Sequence, residues 1–145
     1  MAPYRVPDNH RLHPLYATDE LRREQAEGMV EKDQLVFPIF ITDQPGAKEI
    51  IGAMPGQFRW GPDRIAEAIE PLVNDGLRAV LIFGVPTRDK DGMGSTADDE
   101  NTPAIQAVRA LRSAFPEIDV MTDVCMCAYT DHGHCGILQD DGSIN

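Results

Sequence analysis

Leu77-Arg78-Ala79-Val80-Leu81-Ile82-Phe83-Gly84-Val85 is apolar at every position but Arg78, and Gly76 and Pro86 bound it. A run this short, rich in branched and aromatic side chains, reads as a strand buried on both faces, as in a parallel sheet. Residues 34–42 and 118–126 have the same character. Between the first two runs, Pro62 opens a helix at its first position, where its missing N–H costs little. Ile65, Ala66, Ile69 and Leu72 form the apolar stripe of that helix. Pro71 is expected to kink or split it, and Gly76 to end it. Between the second and third runs, Thr102-Pro103 starts another helix, which Ile105, Val108, Leu111 and Arg112 carry to about Phe115 before Pro116 stops it. Strand, helix, strand, helix, strand, with every strand apolar, is the signature of parallel α/β packing. Pro38 inside the first strand predicts a bulge or a missing ladder bond. Residues 43–61 read as a connecting loop. Residues 86–101 read as a charged, mobile surface loop without the spacing of a phosphate fingerprint.

The third strand delivers the chemistry. The run Asp123-Val124-Cys125-Met126-Cys127-Ala128-Tyr129-Thr130-Asp131-His132-Gly133-His134-Cys135-Gly136 holds all three cysteines and two of the four histidines of the chain. On an extended strand, positions i and i+2 face the same way, so Asp123, Cys125 and Cys127 are expected in one row. The bend through His132-Gly133-His134 can return Cys135 beside that row. At a Zn–S length of about 2.3 Å, tetrahedral sulfurs lie roughly 3.8 Å apart, a separation within reach of same-face neighbours. Three protein ligands leave a coordination position for water or substrate, which marks a catalytic site more than a structural one. Other readings stay open. A disulfide between Cys125 and Cys127 would be strained, because their Cα separation on a strand is near the permitted limit. Three buried cysteines can act as small hydrophobes. A closed structural site would recruit His132 or His134 as fourth ligand. Catalytic groups of parallel α/β folds gather at the C-terminal strand ends, which is where Asp123, Cys125 and Cys127 fall.

Composition narrows the class. The chain has 145 residues and a formal net charge of -11, enough length for one domain with a real core. The negative balance argues against nucleic acid and against an anionic membrane surface as partners. The acidic residues are spread out and read as a solvated exterior. No apolar run approaches the roughly 20 residues of a membrane span, and the N-terminus has no secretory apolar core. An odd, clustered set of cysteines fits a reducing cytosol, so a cytoplasmic protein is expected.

The segment from Asp123 to Leu138 closely resembles the metal-binding stretch of the porphobilinogen synthase (5-aminolevulinate dehydratase) family in its zinc-dependent, cysteine-rich form. The likeness is colinear upstream. Val36-Phe37-Pro38-Ile39-Phe40-Ile41 resembles that family's first barrel strand. Ala53-Met54-Pro55-Gly56 with Arg59 resembles its first loop, and Val80-Leu81-Ile82-Phe83-Gly84-Val85-Pro86 its second strand. Thr102-Pro103-Ala104-Ile105 with Val108-Arg109 resembles the start of its second helix. The resemblance spans about Leu21 to Asn145. It implies the N-terminal part of a (β/α)8 TIM barrel and a hydro-lyase that condenses two 5-aminolevulinate molecules into porphobilinogen, an early step toward haem. It implies Zn2+ as cofactor, with Cys125, Cys127 and Cys135 as ligands and Asp123 as a catalytic residue on the active-site floor. His134 is expected either to support the metal indirectly or merely to shape the turn, with His132 a weaker candidate and Tyr129 and Thr130 packing the loop. The family also implies a homo-oligomer, an octamer at full length.

The domain expectation is an irregular N-terminal arm over residues 1–18, carrying His10 and His13. Residues 19–145 are expected to be the first part of a barrel domain, truncated after the third strand. Asp19 is read as the cap of a short helix running to about Val30, with Leu21, Ala26, Met29 and Val30 as its apolar stripe. The arm lacks the family's arginine-rich start, and Asp131 stands where the family carries serine. The family forms Schiff bases through two lysines on later strands, whereas the lysines here are Lys32, Lys48 and Lys90, all before the cysteines. The chain alone is therefore expected to be inactive. The alternatives are a non-catalytic zinc-binding module, a different barrel metalloenzyme acting through zinc-bound water, and a redox-sensing thiol cluster.

Overall fold

Ala79–Val85, the interior of the run that opened the sequence analysis, is the strand on which the sheet is built. The structure is a computed structural model that describes residues 17–28 and 30–144. Its strands are β1 (Val36–Thr42), β2 (Lys48–Ile50), β3 (Phe58–Trp60), β4 (Ala79–Val85) and β5 (Asp119–Thr122). Its α-helices are α1 (Asp19–Gln25), α2 (Ile65–Asn74) and α3 (Pro103–Ala114). The chain divides into two units, Met1–Glu31 and Lys32–Asn145.

In the first unit, Thr18 rather than Asp19 caps α1: its hydroxyl oxygen accepts the Leu21 N–H at 3.2 Å. Asp19 lies in the first turn, where its charge suits the helix dipole and pairs with Arg22. The helix stops at Gln25, short of the expected Val30, because Ala26 is extended. No residue of α1 is buried, and Val30 is exposed. Met29 and residues 1–16 of the expected arm, His10 and His13 included, lie outside the described residues.

In the second unit the sheet order is β2-β3-β1-β4-β5. β1, β4 and β5 are parallel neighbours, as the strand–helix alternation predicts. The β1–β4 ladder runs without a break from Val36↔Ala79 to Thr42↔Val85. No bulge forms at Pro38. β3 meets β1 only at Phe40 and Ile41, so one side of Pro38 faces no strand, where a missing donor is tolerated. Residues 43–61 are more than a loop: they carry the β2–β3 antiparallel hairpin, with β3 parallel to β1. Gly61 N–H to the Ala47 carbonyl (2.9 Å) and Ile51 N–H to the Gln57 carbonyl (3.0 Å) brace that hairpin.

The 3-10 turn Pro62–Arg64 leads into α2, which continues through Pro71 to Asn74 without splitting. It ends in a Schellman closure. The Gly76 N–H donates to the Val73 carbonyl (3.0 Å) and the Leu77 N–H to the Leu72 carbonyl (2.9 Å), with Gly76 at φ +110°. α3 starts as read: the Thr102 hydroxyl oxygen accepts the Ile105 N–H at 3.4 Å and Pro103 occupies the first turn. Both helices cover one face of the sheet. Ile39, Ile41, Val80 and Ile82 meet Ile65, Ile69, Ala107, Leu111 and Ile118 there in one core. The opposite face is only half-buried, with Phe40 stacked on Phe83 at 5.3 Å between ring centroids. The expected burial on both faces is therefore seen on one, because no second layer lies over the other among the described residues. No helix among the described residues is long and apolar enough to cross a membrane.

Candidate metal centre

The strand that leads to the cysteines ends earlier than its sequence suggests. β5 stops at Thr122, so Asp123 and Cys125 lie on irregular backbone and Cys127 in a turn. The row on one strand face does not form. Convergence comes from the turn instead: the Tyr129 and Thr130 N–H groups both donate to the Met126 carbonyl, at 2.9 and 3.1 Å. That fold-back sets Cys127 beside the returning Cys135. Cys135 Sγ lies 3.5 Å from Cys125 Sγ and 3.3 Å from Cys127 Sγ. All three sulfurs fall within 4.8 Å of one another. The cysteines are free thiols, so no disulfide competes for them.

The electrostatics of the cluster are uneven. The Met126 N–H donates to Cys135 Sγ at 3.3 Å. Hydrogen bonding from Cys127, then from Met126, lowers the Cys135 thiol to about 7. Hydrogen bonding to Cys135 and then Cys125 pushes the Cys127 thiol up to about 11. The opposite directions of the two shifts belong to one hydrogen-bonded group of sulfurs that titrates together. The donor set fits a thiophilic divalent ion. The sulfurs are soft, their spacing is close to the roughly 3.8 Å of a tetrahedral thiolate pair, and Cys135 is exposed.

Two of the thiols, Cys125 and Cys135, border a cavity of about 380 Å³ lined also by Thr102, Ile105, Asp123 and Tyr129 among others. It opens at the C-terminal end of β5 and the N-terminus of α3. Asp123 is exposed as a residue, but partial desolvation of its carboxyl against the cavity wall raises it above its ordinary 3.8, and its backbone N–H reaches the Ile82 carbonyl at 3.4 Å. Tyr129 is buried, and burial raises its phenol, against a hydrogen bond with Thr102 that lowers it. Gly84 makes room for that ring, since a Cβ there would sit 3.0 Å from the Tyr129 hydroxyl and 3.1 Å from the Ala104 Cβ. Tyr129 is more than loop packing: it reaches the cavity, and a glycine inside an apolar strand is the sequence signal for such an approach.

The histidines serve the loop. His132 Nε2 meets the Gly92 carbonyl at 3.2 Å, and its Nδ1 accepts the His134 N–H at 3.3 Å. One neutral tautomer, protonated at Nε2, satisfies both contacts. The two imidazoles stack at 5.9 Å between centroids. Among the described residues no hydrogen bond joins the His134 ring to a thiol, while the His134 carbonyl accepts the Thr130 hydroxyl at 2.9 Å, which shapes the turn. Residues 86–101 are tied down. A bridge pairs Asp91 with Thr130, the Asp131 N–H donates to the Asp91 carbonyl at 3.1 Å, and Asp91 Oδ1 accepts the Met93 and Ser95 N–H groups. This loop clamps the cysteine segment from outside.

Comparison with known proteins follows the same line. The family model for Delta-aminolevulinic acid dehydratase matches residues 9–145. The Delta-aminolevulinic acid dehydratase of Schizosaccharomyces pombe is 52% identical over 134 residues, covering 92% of this chain and 41% of that protein. The Bos taurus enzyme of the same name is 48% identical, covering 99% of this chain and 43% of its own length. The chain thus spans about two fifths of these curated relatives. Porphobilinogen synthase from Toxoplasma gondii ME49, solved with its reaction product porphobilinogen, superposes with a TM-score of 0.80 at 24% identity, over 93% of this chain and 39% of that one. The sheet and helices described above are accordingly part of a (β/α)8 barrel. The family is metal-dependent, and the three converging thiols are a group able to hold a metal ion. On the match that runs from residue 9 to the last residue, the chain belongs to the delta-aminolevulinic acid dehydratase family.

Proposed function

We propose that this chain contributes the metal-binding part of a porphobilinogen synthase, the hydro-lyase that condenses two 5-aminolevulinate molecules into porphobilinogen with loss of water. The observation that carries the reading is the convergence of Cys125, Cys127 and Cys135 beside a cavity that also holds Asp123. The proposed ion is Zn2+, held by these three sulfurs. When bound it supplies Lewis acidity and a vacant coordination position for substrate.

The chain's own residues do the remainder. Asp123, which lines the cavity and whose carboxyl is raised by partial desolvation, is the proposed catalytic residue, able to hold and release a proton at its carboxylate beside a substrate amine. Tyr129 and Thr102 line one wall of the cavity, and Ile105 and Ala104 give it apolar lining. Among the described residues no lysine lines the cavity. Lys32 pairs with Asp75 at 2.6 Å, and Lys48 lies over the Phe58 and Trp60 rings. The Schiff-base amines of the family therefore have no counterpart here, and the proposal includes that these 145 residues alone do not turn over 5-aminolevulinate. The same observation favours, as a second reading, a zinc-binding module without catalysis. The rest of the reading is an arm over residues 1–18, a first barrel portion over residues 19–145, a cytoplasmic location and a homo-oligomeric assembly.

Elemental analysis tests the metal: one zinc per chain is expected, lost in Cys125→Ala or Cys127→Ala, and a zinc-free chain purified without chelator defeats the reading. A porphobilinogen assay with zinc present tests the rest. The chain alone is expected to give no product, and measurable turnover overturns the claim of inactivity.

A further inference from the structure

Thr130 is 2% exposed, and it sits where the two ends of the cysteine loop meet. Its N–H donates to the Met126 carbonyl at 3.1 Å. Its Oγ1 donates to the His134 carbonyl at 2.9 Å. Met126 lies between Cys125 and Cys127, and its own N–H donates to Cys135 Sγ at 3.3 Å. His134 directly precedes Cys135. Thr130 therefore joins, through one backbone bond and one side-chain bond, the turn that carries two thiols to the strand of loop that carries the third. Its methyl is seated as well: a Cβ built on Gly94, held at φ +64°, would lie 3.4 Å from Thr130 Cγ2. The Asp91 bridge backs it from the other side.

We infer that Thr130 is a positioning residue for the three-thiol cluster, its hydroxyl fixing Cys135 against Cys125 and Cys127 so that a thiophilic cation finds the ligand set already assembled. The inference rests on the metal reading of the cluster. Without the hydroxyl, the exposed His134 carbonyl turns to water and the Cys135 arm of the loop is free to swing. The ion must then gather its third ligand itself. Groups that orient ligands in this way typically change metal affinity by ten- to a hundredfold. One neutral hydrogen bond places this one at roughly tenfold. Valine matches threonine in shape and removes the hydroxyl, whereas serine keeps the hydroxyl and removes the methyl.

The test compares the 145-residue chain with Thr130→Val and Thr130→Ser. Zinc affinity is read by competition with a chromogenic chelator, and the thiolate set by the charge-transfer band of bound Co2+. The expected result is roughly tenfold weaker zinc binding in Thr130→Val, with a weakened cobalt band, and near wild-type behaviour in Thr130→Ser. A wild-type chain that gives no cobalt band and binds no zinc removes the metal reading, and this inference with it. Wild-type affinity in Thr130→Val overturns the inference alone, as does equal weakening in both variants, which would assign the effect to packing. Should Thr130→Val lose its circular-dichroism signal, NMR of the wild-type chain decides: a slowly exchanging Thr130 hydroxyl proton upholds the inference and a freely exchanging one overturns it.

Discussion

The framework of β1, β4, β5, α2 and α3 and the segment from Asp123 onward are held together by different forces. In the framework, Ile41, Ile65, Ile69, Val80, Ile82, Ala107 and Leu111 are fully buried, and hydrophobic burial with close packing fixes their positions. In the cysteine segment only Tyr129 and Thr130 are buried, while Val124, Ile137, Leu138 and Ile144 are exposed. There the geometry comes from hydrogen bonds through Met126, Thr130 and His132 and from the Asp91 loop behind them. The difference teaches that the scaffold and the thiol cluster are separable: one sets stability, and the other sets what can bind.

The separation is broken most severely through the framework. Ile82 is 0% exposed on the strand that pairs with both β1 and β5. Ile82→Ala removes its packing and leaves a cavity between the sheet and the helices, a loss of about 2–5 kcal/mol. Against a typical stability of roughly 5–15 kcal/mol that is a large share. Urea unfolding followed by circular dichroism measures it. A loss below about 1 kcal/mol would show that the apolar face is not what sets the stability of this chain.

The same contrast explains what the sequence disclosed. The framework was legible because burial leaves a periodic record: the apolar runs gave β1, β4 and β5, and Thr102-Pro103 gave the start of α3. The β2–β3 hairpin was missed because Lys48-Glu49-Ile50 and Phe58-Arg59-Trp60 are only three residues each, too short for a periodic record, and part of the hairpin's support is distant: Asp63 Oδ1 accepts the Gly46 N–H at 2.8 Å. The split that Pro71 allowed does not occur, because a proline's cost to a helix is local, whereas the packing that keeps α2 whole, with Ile65 and Ile69 fully buried, is not. The cluster itself was legible from cysteine spacing, but by a different route. A strand was expected to align the thiols, and a turn does so. What lay beyond reach was the contribution of Asp91, Gly92 and Gly94, about forty residues upstream, since no periodicity links a loop to the segment it clamps.

A smaller effect sharpens the comparison at the border between the two regions. Asp43 follows β1, and its carboxylate accepts the Thr87 N–H at 3.1 Å and the Thr87 hydroxyl at 2.7 Å, with Arg88 Nε 3.6 Å away. This ties the C-terminal ends of β1 and β4. Burial pushes the Asp43 carboxyl up, but the Thr87 bonds and the Arg88 charge together outweigh it and hold the group below its ordinary 3.8. A folded value below the unfolded one means stability that is present above about pH 4 and lost as the pH falls through the folded value. Asp43→Asn is expected to lose about 1 kcal/mol at pH 7. The gap from wild type should close as the pH drops below 3.8. Thermal unfolding from pH 7 to pH 2.5 checks it, and a gap independent of pH would mean that the carboxylate charge plays no part.

The smallest expected effect is the most demanding test, because the comparison requires it to be nearly nothing. Replacing Cys125, Cys127 and Cys135 together by serine removes all the sulfur of a cluster that lies outside the core. Cys135 is exposed and Cys125 and Cys127 are half-buried outside the core, so in chelator-treated protein the change in unfolding free energy is expected to stay within about 0.5 kcal/mol, as for substitutions away from the core generally. With zinc added, the two chains should part. The wild type gains stability with the logarithm of zinc concentration, reaching about 2.7 kcal/mol at a hundred times its Kd, while the triple variant gains none. Thermal unfolding across a zinc titration reads both halves. A metal-free loss above about 1 kcal/mol would mean that the contacts among the thiols and the Met126 N–H already hold the fold, so that cluster and scaffold are one cooperative structure. An equal zinc response in both chains would place the bound ion on other ligands, and the sulfurs would then have to be explained without it.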